Sequence, residues 1–155
     1  METILLTGGT GFIGSHTSVE LLSVGENVIL ADNLSNSSEQ VINRIQQITG
    51  QKPKFYCVDV TDRTGLNRVF EENRIDAVIH FAGLKAVGES VRKPIRYYRN
   101  NLDSTLTLLE VMREHKVERL IFSSSATVYG QDCSVPFTES TPTGGCTNPY
   151  GWAKY

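Results

Sequence analysis

Thr3-Ile4-Leu5-Leu6-Thr7-Gly8-Gly9-Thr10-Gly11-Phe12-Ile13-Gly14 opens the chain with a short β-rich run, a glycine-dense turn and the start of a helical period that continues to Ser23. The glycines parse as Gly9-x-Gly11-x-x-Gly14 or as Gly8-x-x-Gly11-x-x-Gly14. Either parse supplies a tight turn, close approach of backbone to a pyrophosphate, and close packing of helix on strand. The helix beginning at Phe12 turns its positive end toward such an anion. A glycine turn between strand and helix also serves purely structural ends, so context decides. Asp32 closes the second β-rich run 18 residues beyond Gly14, where a carboxylate accepts from adenosine ribose hydroxyls. A carboxylate there repels a 2′-phosphate, which predicts NAD rather than NADP.

β-rich runs recur at 3–7, 27–31, 54–58, 77–81 and 120–123, each brief and nearly all apolar, as strands covered on both faces must be. Helical periods separate them: Phe12 to Ser23, then Val41, Ile45 and Ile48, then Leu66, Val69 and Phe70, then Ile95, Tyr98, Leu102, Leu106 and Leu109 from Pro94 onward. This succession predicts an α/β fold, a Rossmann-like, doubly wound parallel sheet of five strands in the order 3-2-1-4-5. One dinucleotide-binding domain over 1–155 follows, its sheet expected to be incomplete. From Gly130 to Asn148 the pattern lapses into a long irregular loop after a strand's carboxyl end, a place that usually carries function.

Composition narrows the function. Lys plus Arg is 15 and Asp plus Glu is 17, a net charge of −2 without blocks of either sign, so nothing points to nucleic acid or an anionic membrane. No run approaches the roughly 20 apolar residues of a membrane span, and the N-terminus lacks a basic, cleavable leader pattern. A cytoplasmic setting is expected. Cys57, Cys133 and Cys146 are odd in number, with no C-x-x-C pair, and His16, His80 and His115 are scattered. These read as reduced thiols and packing or surface imidazoles, with no metal site.

Asn148-Pro149-Tyr150-Gly151-Trp152-Ala153-Lys154-Tyr155 carries the chemistry. Asn148 is suited to cap a helix whose first residue is Pro149, predicted to run to Tyr155. At i, i+4 Tyr150 and Lys154 share a face, their Cβ atoms about 5–6 Å apart, and an ammonium so placed favours phenolate over phenol. That is what a general base near neutrality needs. Upstream, Ser123-Ser124-Ser125 ends a strand, where period-2 alternation leaves either Ser123 or Ser125 facing the same side.

Taken together, the glycine turn, the serine strand and Tyr150-x-x-x-Lys154 resemble the extended short-chain dehydrogenase/reductase superfamily. Asp32-Asn33-Leu34-Ser35-Asn36-Ser37, the stretch from His80 to Ser90, and Phe122-Ser123-Ser124-Ser125-Ala126-Thr127-Val128-Tyr129-Gly130 narrow the resemblance to the N-terminal part of the UDP-glucose 4-epimerase family. It implies a cofactor site in which Gly8, Gly11, Phe12, Ile13 and Gly14 lie at the pyrophosphate, Asp32, Asn33, Leu34, Ser35, Asn36 and Ser37 around the adenosine ribose, and Asp59 with Val60 near the adenine. Phe81, Ala82, Gly83, Leu84 and Lys85 would follow the fourth strand along the NAD, with Asn100 projecting toward it from the long helix. From the residues alone, Asp59 reads equally as a helix-start acid and Asn100 as a solvated helix residue.

The resemblance further implies that Tyr150 takes the C4 hydroxyl proton of a UDP-sugar while the C4 hydride passes to NAD. A 4-keto sugar would turn over in the site, interconverting UDP-glucose and UDP-galactose. Lys154 would lower the tyrosine pKa and hold the cofactor ribose; Ser125 would hydrogen-bond the sugar oxygen; Lys85 joins Ser125 and Tyr150 on the substrate side. Sugar-nucleotide 4,6-dehydratases share the fold but resemble a pattern with Asp-Glu in the serine turn, where this chain has Ala126-Thr127. Family members often form homodimers through helices like those at Pro94 and Tyr150. Because the smaller region that grips UDP in the family is not within these residues, the 155-residue chain by itself is expected to bind NAD with little or no turnover.

Overall fold

The computed structural model describes residues 1–155, which fall into two compact units, Met1–Ala82 with Thr105–Ser123, and Gly83–Ser104 with Ser124–Tyr155. The first unit holds the whole sheet. Its strands β1 (Thr3–Thr7), β2 (Asn27–Asp32), β3 (Lys54–Cys57), β4 (Ala77–His80) and β5 (Leu120–Phe122) are parallel and lie in the order β3-β2-β1-β4-β5. Every expected strand is present within one residue of its expected end, and the expected winding is borne out.

Alternation along β1 explains the layering. Leu5 enters one core with Ile29, Ala31 and Val78, closed by Leu66, Val69 and Phe70 of α3 (Arg63–Glu71) and by Leu108, Val111 and Met112. Ile4 and Leu6 enter the opposite core with Val28, Leu30 and Ile79, closed by Leu22 of α1 (Phe12–Ser23) and Ile42 and Ile45 of α2 (Gln40–Thr49). Consecutive side chains point to opposite faces, so a strand buried on both sides must be apolar throughout. His80, fully buried at the end of β4, places Nδ1 2.6 Å from the Thr7 hydroxyl and Nε2 3.3 Å from that of Thr105, and its ring stacks on Phe122.

Two expected faces are corrected. In α2 the buried pair is Ile42 and Ile45, while Ile48 is exposed. In α5 (Pro94–Glu114) the stripe of Ile95, Leu102, Leu106 and Leu109 faces outward, Ile95 being 76% exposed. The inward stripe is Tyr97, Asn101, Ser104, Leu108, Val111 and Met112. Polar members disguised it, because a polar side chain can be buried when its partner is waiting. No helix is long and apolar enough to cross a membrane.

The second unit contains α4 (Val87–Arg92), the N-terminal half of α5, a 3₁₀ turn at Ala126–Val128 and α6 (Pro149–Trp152). The stretch between the last two is irregular, fastened by a single antiparallel bridge from Tyr129 to Thr143 and by stacking of the Tyr129 and Phe137 rings at 4.4 Å. The helix expected to run from Pro149 to Tyr155 instead ends at Trp152. Lys154 N–H bonds the carbonyl three residues back, at Gly151, so the chain tightens into a final turn there.

Candidate functional site

The expected site residues form two clusters, one in each unit. In the first unit the phosphate turn is built almost wholly from backbone. Gly8 N–H donates to Ala31 carbonyl at 2.8 Å, Gly11 N–H to Gly8 carbonyl at 3.1 Å, and Ser15 N–H to Gly11 carbonyl at 2.9 Å. Gly8 has φ +67°, and a β-carbon on it would lie 2.7 Å from the Ala82 nitrogen, so both conformation and contact demand glycine. Gly11 stands at the N-cap of α1 and contributes no side-chain acceptor, leaving first-turn N–H groups aimed outward. Phe12 and Ile13 are exposed at this helix start, while Gly14 is buried in its first turn. These features fit a dinucleotide pyrophosphate: a cradle that side chains would fill, and an uncapped positive helix end.

Asp32 ends β2 with its carboxylate buried. Oδ2 accepts from Thr10 N–H at 3.1 Å; Oδ1 accepts from Leu34 N–H at 2.9 Å and the Ser37 hydroxyl at 3.2 Å. Leu34 pays for that bond with a left-handed backbone, φ +57°. Asn33 Oδ1 accepts from Ser35 N–H, and its carboxamide donates to Asp59 at 2.7 Å. Ser35 and Asn36 are exposed; Val60 is buried. The N-cap of α3 is Asp62, which accepts from Thr64 and Gly65 N–H groups, so Asp59 is not spent on capping. Burial pushes the Asp59 carboxyl up, but bonds from the Thr61 hydroxyl, the Thr61 N–H and Asn33 outweigh it and hold the group below its ordinary range. Phe81 and Ala82 are half-buried beyond β4.

In the second unit side chains grip backbone. The buried Asn101 carboxamide accepts from Leu84 N–H at 2.8 Å and donates to Leu84 carbonyl at 2.9 Å. Asn100, the expected cofactor contact, donates to the Asn101 carboxamide oxygen at 3.0 Å. Tyr97, fully buried, accepts from Ala86 N–H at 3.1 Å and donates to Glu89 at 3.0 Å. Neither Asn101 nor Tyr97 was expected; a polar residue repeating on the buried face of a long helix is the signal that finds them. A β-carbon on Gly83 would lie 3.2 Å from Asn101 Oδ1 and 3.5 Å from Lys154 Nζ, so all three meet at the start of this segment. Lys85 is exposed.

Ser125 heads the 3₁₀ turn, its oxygen accepting from Thr127 N–H at 3.2 Å and the Thr127 hydroxyl at 2.9 Å. Its own proton therefore remains to be donated elsewhere. Ser123, the alternative, continues the sheet ladder through its N–H to the His80 carbonyl at 3.2 Å. Asn148 caps α6 as expected, accepting from Gly151 N–H at 2.8 Å. The serine and tyrosine turns are packed tightly: a β-carbon on Gly151 would come 2.7 Å from the Thr127 carbonyl oxygen, and the Ser124 hydroxyl donates to the Lys154 carbonyl at 3.0 Å. Tyr150 is half-buried. Lys154 is only 7% exposed, and burial lowers its pKa from the ordinary lysine value.

A doubly wound sheet with this glycine turn, an acid closing the second strand and a Tyr-x-x-x-Lys turn is the arrangement that the resemblance to extended short-chain dehydrogenases/reductases implies. The chain belongs to the family described as GDP-mannose 4,6 dehydratase, whose pattern matches residues 5–155. It is similar to UDP-glucose 4-epimerase of Erwinia amylovora, 57% identical over 152 residues, a span covering 98% of this chain and 45% of that protein. The crystal structure of UDP-glucose 4-epimerase from Bifidobacterium longum in complex with NAD+ and UDP is 61% identical, with a TM-score of 0.96 over 98% of this chain and 45% of that one. The enzyme from Stenotrophomonas maltophila with bound NAD and formylated UDP-arabinopyranose is 44% identical, with a TM-score of 0.94 over 99% of this chain and 46% of that one. The chain thus spans about half the length of the curated relatives it matches, 45% in the first case.

Proposed function

We propose that this chain binds NAD and that a protein of its relatives' length carrying these residues interconverts UDP-glucose and UDP-galactose. The observation that carries the reading is the tight packing of the serine turn on the tyrosine turn, through Gly151 against Thr127 and Ser124 against Lys154. That packing fixes Ser125 and Tyr150 on adjoining turns, as a proton relay to one sugar oxygen requires.

When bound, NAD would supply a hydride acceptor and donor at the sugar carbon. The chain's own residues do the rest. Tyr150 takes and returns the C4 hydroxyl proton. Ser125, its lone pairs engaged by Thr127, presents its hydroxyl hydrogen to the same oxygen. Lys154, buried beside Gly83, would hold the cofactor ribose. Gly8, Gly11, Phe12, Ile13 and Gly14 would hold the pyrophosphate, Asp32 to Ser37 the ribose, Asp59 and Val60 the adenine, with Phe81 to Lys85 and Asn100 along the remaining length.

The family's description favours a second reading, a 4,6-dehydratase. Eliminating water needs an added acid and base, and the turn here reads Ala126-Thr127, with no carboxylate. The exposed stripe of α5 and the exposed Trp152 of α6 support pairing with a second copy, and a cytoplasmic role in galactose metabolism goes with the epimerase reading. Incubation with UDP-galactose tests it. UDP-glucose should form without release of NADH; a 4-keto-6-deoxy product would overturn the reading in favour of the dehydratase. The 155 residues alone should bind NAD with little or no turnover.

A further inference from the structure

We propose that Thr10 and Ser37 form a hydroxyl brace that fixes the Asp32 carboxylate, and that this brace, rather than the carboxylate charge alone, sets a preference for NAD over NADP. The proposal rests on the dinucleotide reading above and adds Thr10 to it as a specificity-determining residue.

Thr10 occupies the variable position between Gly9 and Gly11, where a phosphate turn asks only for backbone. Its side chain is nevertheless buried, with 2% of the residue exposed. It reaches toward the loop that follows β2. Its N–H donates to Asp32 Oδ2 at 3.1 Å, and its hydroxyl lies 2.7 Å from the Ser37 hydroxyl. Ser37 in turn donates to Asp32 Oδ1 at 3.2 Å. With the Ser37 proton committed to the carboxylate, the Thr10 hydroxyl must be the donor between the two, giving a directed chain from Thr10 to Ser37 to Asp32. Each donor in such a chain polarises the next. Leu34 N–H completes the grip on Oδ1, from the left-handed conformation that its loop holds.

A carboxylate repels a 2′-phosphate only while it stays where the phosphate must go. An unbraced Asp side chain has a χ1 and a χ2 through which it can swing toward water, where the repulsion is screened. Three donors on a carboxylate only 6% exposed remove that escape. The brace converts charge into specificity by denying the acid its relaxation. It also ties the ribose acid to the phosphate turn, so both ends of the adenosine diphosphate are read by one connected network.

Calorimetric titration of the chain with NAD and with NADP separates the possibilities. Thr10→Val keeps the shape and the N–H but removes the hydroxyl; Ser37→Ala removes the middle of the chain. Each should narrow the NAD-to-NADP affinity ratio by about tenfold, the scale of one hydrogen bond to a charged group. The double variant should narrow it no further, because the hydroxyls act in series, and Thr10→Ser should restore it. Equal loss of both affinities at an unchanged ratio would make the pair a mere structural contact and overturn the proposal. If the unaltered chain binds neither dinucleotide, the dinucleotide reading itself fails, a result seen before any variant is compared.

Discussion

In the first unit the glycine turn is held by backbone meeting backbone, Gly8 against Ala31 and Ala82; in the second, side chains reach across to grip backbone, Asn101 at Leu84, Tyr97 at Ala86 and Ser124 at Lys154. Backbone contact tolerates almost no change in side-chain volume but does not depend on which side chains lie elsewhere. A carboxamide clamp depends on one residue and on the position of the helix that bears it. The glycine turn is therefore set by where glycines stand, and the catalytic cluster by which side chains reach it.

The largest expected effect separates chemistry from binding. In a protein of the relatives' length, Tyr150→Phe removes the transferable proton and should lower turnover of UDP-galactose by about 10²–10⁴-fold, the usual contribution of a positioned acid or base. NAD affinity, measured by titration, should persist. A variant that loses both together would mean that the two clusters are not separable in function.

Next come the two modes of support. Gly8→Ala forces a β-carbon onto the Ala82 nitrogen at a φ of +67° and should cost about 3 kcal/mol, strain and overpacking combined. Asn101→Leu preserves volume and burial but strips Leu84 of both bonds, and should cost roughly 2 kcal/mol. Urea unfolding followed by a sheet probe and by Trp152 fluorescence sharpens the contrast. Gly8→Ala should shift both signals, and Asn101→Leu chiefly that of Trp152.

The same contrast explains what could be read in advance. Strands β1 to β5 and the glycine turn were legible because short apolar runs and glycine placement are written in consecutive residues. The Asn148 cap was legible as short-range spacing. The inward face of α5 was not, since Tyr97, Asn101 and Ser104 look solvent-facing until Glu89 and Leu84 are brought beneath them. Helix α4 escaped because it is only six residues long, its one apolar pair, Val87 and Val91, is exposed, and Ala86 caps it without a side-chain bond. At the end of α6 the Gly151 carbonyl accepts from both Lys154 N–H and Tyr155 N–H at 3.0 Å, a tightening that residue spacing alone does not show.

Titration offers the finer comparison, one ionisable group in each unit. Burial lowers the Lys154 pKa, so between its folded value and the ordinary 10.5 the unfolded chain binds more protons, and stability rises with pH across that window. Lys154→Met should abolish that alkaline rise in melting temperature. An unchanged rise would remove Lys154 as its source.

Asp59 gives the smallest effect, at the opposite end of the scale and for the opposite reason. Burial raises its pKa, but the Thr61 and Asn33 donors win, and the folded value lies below the ordinary 3.8. Its contribution is fully present above 3.8 and is lost as pH falls through the folded value, where the unfolded chain has already taken up its proton. Asp59→Asn keeps an acceptor for Thr61 but has no proton to gain, so the acid limb of the stability curve should become shallower. The carboxylate is half-exposed and its donors are short-range, so the change should be a fraction of that seen at Lys154. Were the acid limb to flatten as much as the alkaline one does in Lys154→Met, the Asn33 and Asp59 bond would be a principal tie of the nucleotide cluster, on a par with the Asp32 bonds to Thr10 and Ser37.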